Sequence, residues 1–416
     1  APCSSPPSVT DQMNKLSIKN VDFKGKVAVV RVDYNVPMKN GVITNNARIE
    51  ASLPTLKHIM ESGPKAVVVM SHMGRPKGEV NMKFTLKPVA EALSTLIERP
   101  VLFAPNCVGA EVTSMIESAP EGAIIMLENL RFHAEEEGKN TTPEAIAAFR
   151  AQLATLGDVY VNDAFGTAHR AHSSMMGEGY DVRACGLLLA KELKFFDIAL
   201  TTPKRPYLAI LGGAKVEDKI KLIDNLLDRV NEIIICGGMA YTFNKIMFDH
   251  QIGNSLFDKK GALIVPDLIA KAKKNGVKII LPIDFVAADD FSQEANTKLC
   301  TAEEGIPEGW EGLDCGPASR ALYKEACDKA ATIVWNGPPG VFEIPQFANG
   351  TNELIDAVCA ATKRGAVTVI GGGDSATAIM NAGKGEGVSH ISTGGGASIE
   401  LLQGNVMPGI EVLCDA

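Results

Sequence analysis

Arginine and histidine recur in this chain wherever an apolar run stops. Arg31, Asp33 and Asn35 fall in RVDYNVP, His72 and Arg75 in SHMGRP, Arg131 and His133 in ENLRFH, and Asp163, His169, Arg170 and His172 in NDAFGTAHRAHSS. In open parallel sheets ligands bind beyond the carboxyl ends of strands, so four cationic strand ends converge on one pocket. A guanidinium offers a planar fork that matches carboxylate or phosphate, which makes a small anion the expected occupant. One such arginine alone would read as a solvated cation, and one such aspartate as a helix cap. Repetition at four ends favours a site. His169 and His172 stand three apart, as zinc ligands can, but no third soft ligand has matching spacing, and zinc ordinarily takes three or four.

The second half of the chain places glycine at the corresponding points, in LGGAKVEDK, CGGMAYTF, WNGPPGVFE, GGGDSAT and STGGGAS. Glycine lets the backbone approach a ligand closely, and free N–H groups at a helix start attract phosphate oxygens. A single glycine loop merely permits a turn, whereas five in one half favour a nucleotide site. Lys215 and Lys219 stand four apart at an expected helix start, a poor place for cations unless an anion binds there. Asp374 follows three glycines and is the candidate Mg²⁺ carboxylate, since Mg²⁺ takes one or two carboxylates alongside nucleotide oxygens. No GxxxxGK[ST], HRD or DFG occurs, and no GxGxxG follows the first strand, which speaks against P-loop NTPases, protein kinases and dinucleotide dehydrogenases.

The elements that must hold these residues are short apolar runs alternating with helical periodicity. KVAVVRVD, KAVVVMSH, VLFAP, AIIMLEN and DVYVNDAF fill the first half; PYLAILGG, EIIICGGM, KIILPIDF, ATIVWNG, AVTVIGGG and SHISTGGG fill the second. IEASLPTLKHIMES and DKIKLIDNLLDRV carry apolar residues at i, i+3 and i+4 and read as covering helices. The expected fold is α/β, with two doubly wound, Rossmann-like parallel-sheet domains. LLLAKELKFFDIAL puts Leu189, Leu193, Phe196 and Leu200 on one face of a connecting helix, a natural hinge.

At 416 residues the chain exceeds what one core usually organises. No apolar run approaches the ~18 residues of a membrane span. The net charge of -8 argues against nucleic acid or anionic membrane as partners. Residues 1–200 hold 21 basic against 22 acidic side chains, and residues 201–416 hold 20 against 27; the first half also has eight of twelve arginines. That imbalance again places the anion pocket first. Nine cysteines, none in a CxxC pair, read as reduced thiols of the cytoplasm. The opening APCSSPPSVTDQMN lacks the apolar core and early basic residues of a targeting peptide and reads as a loose tail. With no long exposed apolar stripe, a monomer is expected.

RVDYNVP, SHMGRP, LGGAKVEDKI, GLDCGP, WNGPPGVFE and GGGDSAT, in this order over nearly the whole chain, resemble the phosphoglycerate kinase family. The resemblance implies reversible phosphoryl transfer between MgATP and the carboxylate of 3-phosphoglycerate, with ATP or ADP as substrate. It implies a 3-phosphoglycerate domain over 1–186 onto which 404–416 folds back, a hinge helix over 187–202 and a nucleotide domain over 203–403. It implies that Asp33, Asn35, Arg48, His72, Arg75, Arg131, His169 and Arg170 hold the acid. It assigns the nucleotide to Gly213, Ala214, Lys215, Lys219, Gly237, Gly238, Gly312, Asn336, Gly337, Val341, Glu343, Asp374 and Ser375, with Asp374 at the metal. Catalysis would fall to Arg48, Lys215 and the backbone amides around Gly373, Gly395 and Gly396. Ser375 stands where Thr is common, and Met73 where Leu is, both conservative in chemistry. A non-catalytic two-lobed binding protein is the alternative; it would share the pockets but need neither a Mg²⁺ carboxylate nor lysines serving the arginine cluster.

Overall fold

The computed structural model describes residues 12–416. The chain divides into two compact units, one running up to Lys194 and including Val406–Ala416, the other Phe195–Asn405. In the first, β1 (Val27–Val32) leads into a small hairpin, β2 (Met38–Lys39) and β3 (Val42–Ile43). Then come β4 (Ala66–Met70), β5 (Val101–Phe103), β6 (Ala123–Met126), β7 (Val159–Asp163) and β8 (Val182–Cys185). Apart from the hairpin these form one parallel sheet in the order β5-β6-β4-β1-β7-β8. Every residue of β1, β4 and β7 is buried. Strands covered on both faces have no solvent side to alternate toward, which is why their sequences are continuous apolar runs.

Helices α1 (Ala47–Glu61), α2 (Lys87–Ile97), α3 (Ala110–Ser118), α4 (Ala134–Glu137) and α5 (Pro143–Ala154) cover this sheet. In α2 the buried positions are Val89, Ala90, Leu93 and Ile97, the single stripe that helical spacing dictates. Strand order reverses between β1 and β7, so the crevice for a ligand opens beyond Val32 and Asp163. The C-terminal segment belongs to the same unit: Asn162 Nδ2 donates to Gly409 O (2.7 Å) and Leu16 N to Cys414 O (2.8 Å). Most of the expected loose tail lies outside the described residues. Its end is not loose, because Gln12 is buried and its Oε1 accepts from Met407 N at 2.7 Å.

Asp163 takes the helix-cap role. Its Oδ1 accepts from Leu188 and Leu189 N–H (3.0 and 3.1 Å) at the start of α6 (Leu187–Leu200), and the division between the two units falls within that helix. A Cβ on Gly186 would strike this carboxylate, so only glycine fits there. Burial pushes the Asp163 carboxyl up to about 7, against the pull of Thr55 and of the two N–H groups. An acid raised on folding stabilises the fold below its unfolded pKa and loses that contribution as pH climbs through the folded value. Asp163→Asn, whose Oδ1 still accepts both N–H groups, should therefore gain on the parent between about pH 4 and about pH 7. Three pH units set a ceiling of about 4 kcal/mol. Thermal melts of both proteins across this range check it; a gap independent of pH would remove the titration.

The second unit contains β9 (Tyr207–Leu211), β10 (Glu232–Ile235), β11 (Lys278–Ile280), β12 (Asp284–Ala288), β13 (Thr297–Thr301), β14 (Glu311–Cys315), β15 (Thr332–Asn336), β16 (Val367–Gly371) and β17 (His390–Ile391). Its parallel sheet runs β11-β10-β9-β15-β16-β17, with the order reversing between β9 and β15. That is the Rossmann arrangement, and it opens the ligand crevice at Leu211 and Asn336. Helices α7 (Ile220–Leu227), α8 (Gly238–Phe248), α9 (Lys259–Ala262), α10 (Val265–Asn275), α11 (Pro317–Lys329), α12 (Asn349–Lys363), α13 (Gly373–Asn381) and α14 (Gly396–Leu402) complete the unit.

One feature departs from the sequence reading. KIILPIDF is not one strand: β11 closes the parallel sheet, whereas β12, beyond Pro282, centres an antiparallel sheet ordered β13-β12-β14. β13 is mostly exposed and therefore carries no apolar run to announce it. No described helix is long and apolar enough to cross a membrane.

Candidate active site

In the first unit, most of the residues flagged at four strand ends meet; His133 instead contacts Asn106 Oδ1 (2.7 Å) and stacks on Phe149, and Asp163 caps α6. Arg31, fully buried at the end of β1, donates from Nε to Ser174 Oγ (2.8 Å), from Nη1 to Val32 O (2.5 Å) and from Nη2 to His72 Nδ1 (3.2 Å). Because arginine can only donate, Nδ1 of His72 must accept, so the neutral ring carries its proton on Nε2. Beneath this layer lies Glu136, buried in α4, which accepts from Ser174 N (2.9 Å) and Ser174 Oγ (2.6 Å) and stands 3.9 Å from Arg31 Nη2. Arg131, nearly buried, donates to Gly74 O at 2.7 Å, and its Nε is 3.8 Å from Glu137. Asn35 Oδ1 accepts from Gly74 N (2.9 Å), fixing the loop that presents Arg75. Arg75 and Arg170 are exposed, and His169 is half-buried beside Arg170.

Arg48 enters from the first turn of α1, where the helix dipole disfavours a cation. Its Nη1 sits 2.7 Å from Asp33 Oδ1, which compensates. Burial would raise the Asp33 carboxyl, but His72, Arg48, Arg31 and the Asn35 N–H together hold it below its ordinary value. His72 is itself pushed well below its ordinary range by burial and by Arg31 and Arg131, so the arginines carry that effect. Burial and then Arg131, Arg31 and Arg170 depress His172 to about 3. At neutral pH these histidines are uncharged donors and acceptors, and the positive charge of the pocket is arginine's.

In the second unit the glycine loops meet at the carboxyl ends of β9 and β15. Gly212 N donates to Asn336 O (3.0 Å), and a Cβ on either Gly212 or Gly337 would collide with the other's backbone. Lys219 is turned inward: its Nζ donates to Gly212 O (2.5 Å), Asn336 O (2.9 Å) and Asn336 Oδ1 (2.5 Å), and burial depresses it to about 8. Lys215, by contrast, is exposed on the Gly213–Ala214 loop. Ser375, which the family resemblance gives to the nucleotide, is fully buried, and its Oγ accepts from Gly337 N (2.7 Å). The structure thus gives it a loop-supporting bond. Gly312 N donates to Ser255 Oγ (2.9 Å) within β14, Val341 N reaches Leu313 O (2.9 Å), and Glu343 is exposed.

Three helices start here without a side-chain cap: α8 behind Gly237, α13 behind Gly372 and α14 behind Gly395. Gly237 has φ 63° and Gly372 φ 88°, conformations only glycine adopts without strain. Uncapped first turns leave backbone donors for an anion. Gly238 and Gly373 open α8 and α13, and Gly396 opens α14.

Asp374, exposed in the first turn of α13, accepts no hydrogen bond and forms no ion pair among the described residues. These residues include no cluster of three or more His, Cys, Asp or Glu able to hold a metal unaided. A single free carboxylate beside the uncapped amides of a helix start has the chemistry of a ligand for Mg²⁺ that arrives with a nucleotide.

The sequence had not signalled the acids that hold these groups. Glu136 in the first unit, and Asp258 and Asp314 in the second, bind backbone N–H groups from the interior; in a sequence such residues look like any solvated carboxylate.

One unit thus presents a cationic pocket and the other a glycine-framed set of backbone N–H donors suited to an anion, the equipment of a small-molecule phosphotransferase. The sequence profile of the phosphoglycerate kinase family matches residues 18–405. The chain is 56% identical over 410 residues to phosphoglycerate kinase of Hypocrea rufa, and equally so to phosphoglycerate kinase 1 of Homo sapiens. Each alignment covers 96% of this chain and 98% of the other. The solved phosphoglycerate kinase of Coxiella burnetii superposes with a TM-score of 0.85 at 36% identity, over 96% of this chain and 98% of that one. The chain belongs to the phosphoglycerate kinase family. Its activity is kinase activity, phosphoryl transfer between ATP and 3-phosphoglycerate.

Proposed function

We propose that the first unit holds 3-phosphoglycerate through Asp33, Asn35, Arg48, His72, Arg75, Arg131, His169 and Arg170, and that the second holds MgATP or MgADP against the loops around Gly213, Gly237, Gly337 and Gly373. The observation that carries this reading is the pairing of chemistries: an arginine pocket with neutral histidines in one unit, and uncapped helix starts beside an exposed lysine in the other.

The nucleophile is a carboxylate, ionised at neutral pH with an ordinary pKa of ~4, so no general base is required. What remains is alignment and neutralisation of the moving phosphoryl group. Arg48 and Lys215 supply charge, and the amides near Gly373, Gly395 and Gly396 supply oriented dipoles. Mg²⁺, held by Asp374, would neutralise phosphate oxygens of the nucleotide when bound. Bending about α6 brings acid and nucleotide into line and limits hydrolysis by excluding water. The eight described cysteines are free, which supports a reducing compartment; the chain is proposed to act there as a monomer.

A coupled assay supplying 3-phosphoglycerate and MgATP, followed by NADH consumption through an added dehydrogenase, tests the reading directly. Absence of turnover would leave only a binding protein. Within the pocket, His72→Ala and Arg170→Ala should each raise KM for the acid by about 10- to 100-fold, the worth of one hydrogen bond to a charged ligand. The fall in kcat should be smaller; the reverse split would contradict a binding role.

A further inference from the structure

Lys215 stands on a segment that, apart from buried Val216 and the bond from Met239 N to Gly213 O (2.8 Å), its own sequence holds weakly. Gly213 has φ 129°, Ala214 and Lys215 are exposed, and only one 3-10 turn, Glu217–Lys219, separates them from α7. A long ammonium side chain on such a loop is a poor catalyst unless the backbone beneath it is fixed.

The fixing group comes from a distant part of the chain. Asp258, 9% exposed, spends both carboxylate oxygens on backbone donors from two directions. Its Oδ1 accepts from Lys260 N (3.2 Å) and Gly261 N (3.0 Å), capping α9. Its Oδ2 accepts from Glu217 N at 2.7 Å, two residues beyond Lys215. Its own N–H donates to Thr242 Oγ1 (3.0 Å) in α8, which ties the carboxylate to the helix behind Gly237 and Gly238. A Cβ on Gly261 would press into both the Asp258 carboxylate and Val216, so the cap and the lysine loop are packed flush. The exposed pair Lys260–Glu217, at 3.0 Å, follows the same path but is solvated and contributes little. Burial raises the Asp258 carboxyl, yet the three N–H groups and the Lys215 charge outweigh it and keep the group ionised.

We propose that Asp258 is a positioning residue for phosphoryl transfer: by binding Glu217 N–H it fixes the arc from which the Lys215 ammonium reaches the moving group. This rests on the role given to Lys215 above. Only a carboxylate can satisfy three donors arriving from two sides. Asparagine offers one acceptor oxygen and would turn an NH₂ toward a backbone donor, and serine can cap α9 but has no second oxygen for Glu217.

The test separates capping from positioning. Asp258→Ser keeps a good N-cap and removes the Glu217 bond. It should lower kcat by about 10- to 100-fold, the worth of one charge-assisted hydrogen bond, with KM for 3-phosphoglycerate within about twofold of the parent. Asp258→Asn, which preserves volume but turns an NH₂ toward one of the backbone donors, should fall in the same direction by a comparable factor. In a Lys215→Ala background, Asp258→Ser should change kcat by less than about twofold, because no ammonium remains to be placed. Equal losses in both backgrounds, or parental kcat in Asp258→Ser, would overturn the proposal while leaving Lys215 in its role. Full turnover in Lys215→Ala alone would instead overturn the role of Lys215, and the proposal with it.

Discussion

Lys215→Ala is expected to lower kcat by about 10³- to 10⁵-fold, equivalent to ~4 to 7 kcal/mol of transition-state stabilisation. The size follows from what the reaction lacks. An ionised carboxylate attacks an anionic phosphoryl group, so the barrier is chiefly one of alignment and charge, and a cation that meets the charge only as it moves acts entirely on kcat. Lys215 is the residue proposed for that task. It is exposed and, among the described residues, forms no hydrogen bond or ion pair, so its ammonium is not already committed to the protein. Lys219 offers the contrast, with three bonds to Gly212 and Asn336 that make it part of the loop framework. Removing Lys219 should cost stability and nucleotide affinity together, because it leaves buried acceptors unpaired. Steady-state kinetics of Lys215→Ala, with unchanged KM for both substrates, is the check. Turnover within tenfold of the parent would exclude Lys215 from the mechanism.

Arg48→Ala is expected to show a loss of similar size, for a different structural reason. Arg48 lies in the first turn of α1, where a cation is unfavourable, and it is retained there through a 2.7 Å pair with Asp33. The pair is not closed off. The arginine side chain is 40% exposed, and Asp33 engages only its Nη1, so donors of the fork remain available to a ligand. A planar fork on an anionic group is not reproduced by a point charge. Arg48→Lys should therefore keep the charge and recover only part of the activity. Full recovery would show that charge alone matters; parental kcat in Arg48→Ala would place the residue outside the chemistry.

What the sequence disclosed and what it hid follow from burial. Continuous apolar runs such as VAVVRV and AVVVM reveal strands covered on both faces, and these position the cationic residues that follow them. Lys215 is legible because GGAKVEDK sets lysines where a helix start is expected, although the structure puts Lys215 on a loop ahead of the 3-10 turn Glu217–Lys219; Arg48 entered only through the family resemblance. The antiparallel sheet escaped notice because β13 is largely exposed and β12 follows β11 so closely that Pro282 alone marks the break. Glu136, Asp258 and Asp314 escaped because a carboxylate that accepts interior N–H groups looks, in sequence, like one that faces water. Asp314 illustrates this: it binds Gly350 N (2.8 Å) and Cys315 N (2.8 Å), and burial raises its carboxyl to about 7. The buried hydroxyl of Ser375 was likewise invisible, since GGGDSAT shows only a polar residue at a helix start.

The central claim is that cations borne by separate units of the chain act on one phosphoryl group in one transition state. The kcat of the double variant Arg48→Ala/Lys215→Ala measures this most directly. Residues serving one transition state are strongly non-additive, so the combined loss should fall well short of the product of the two single losses. A combined loss equal to that product would mean that Arg48 and Lys215 contribute independently, and would contradict the account.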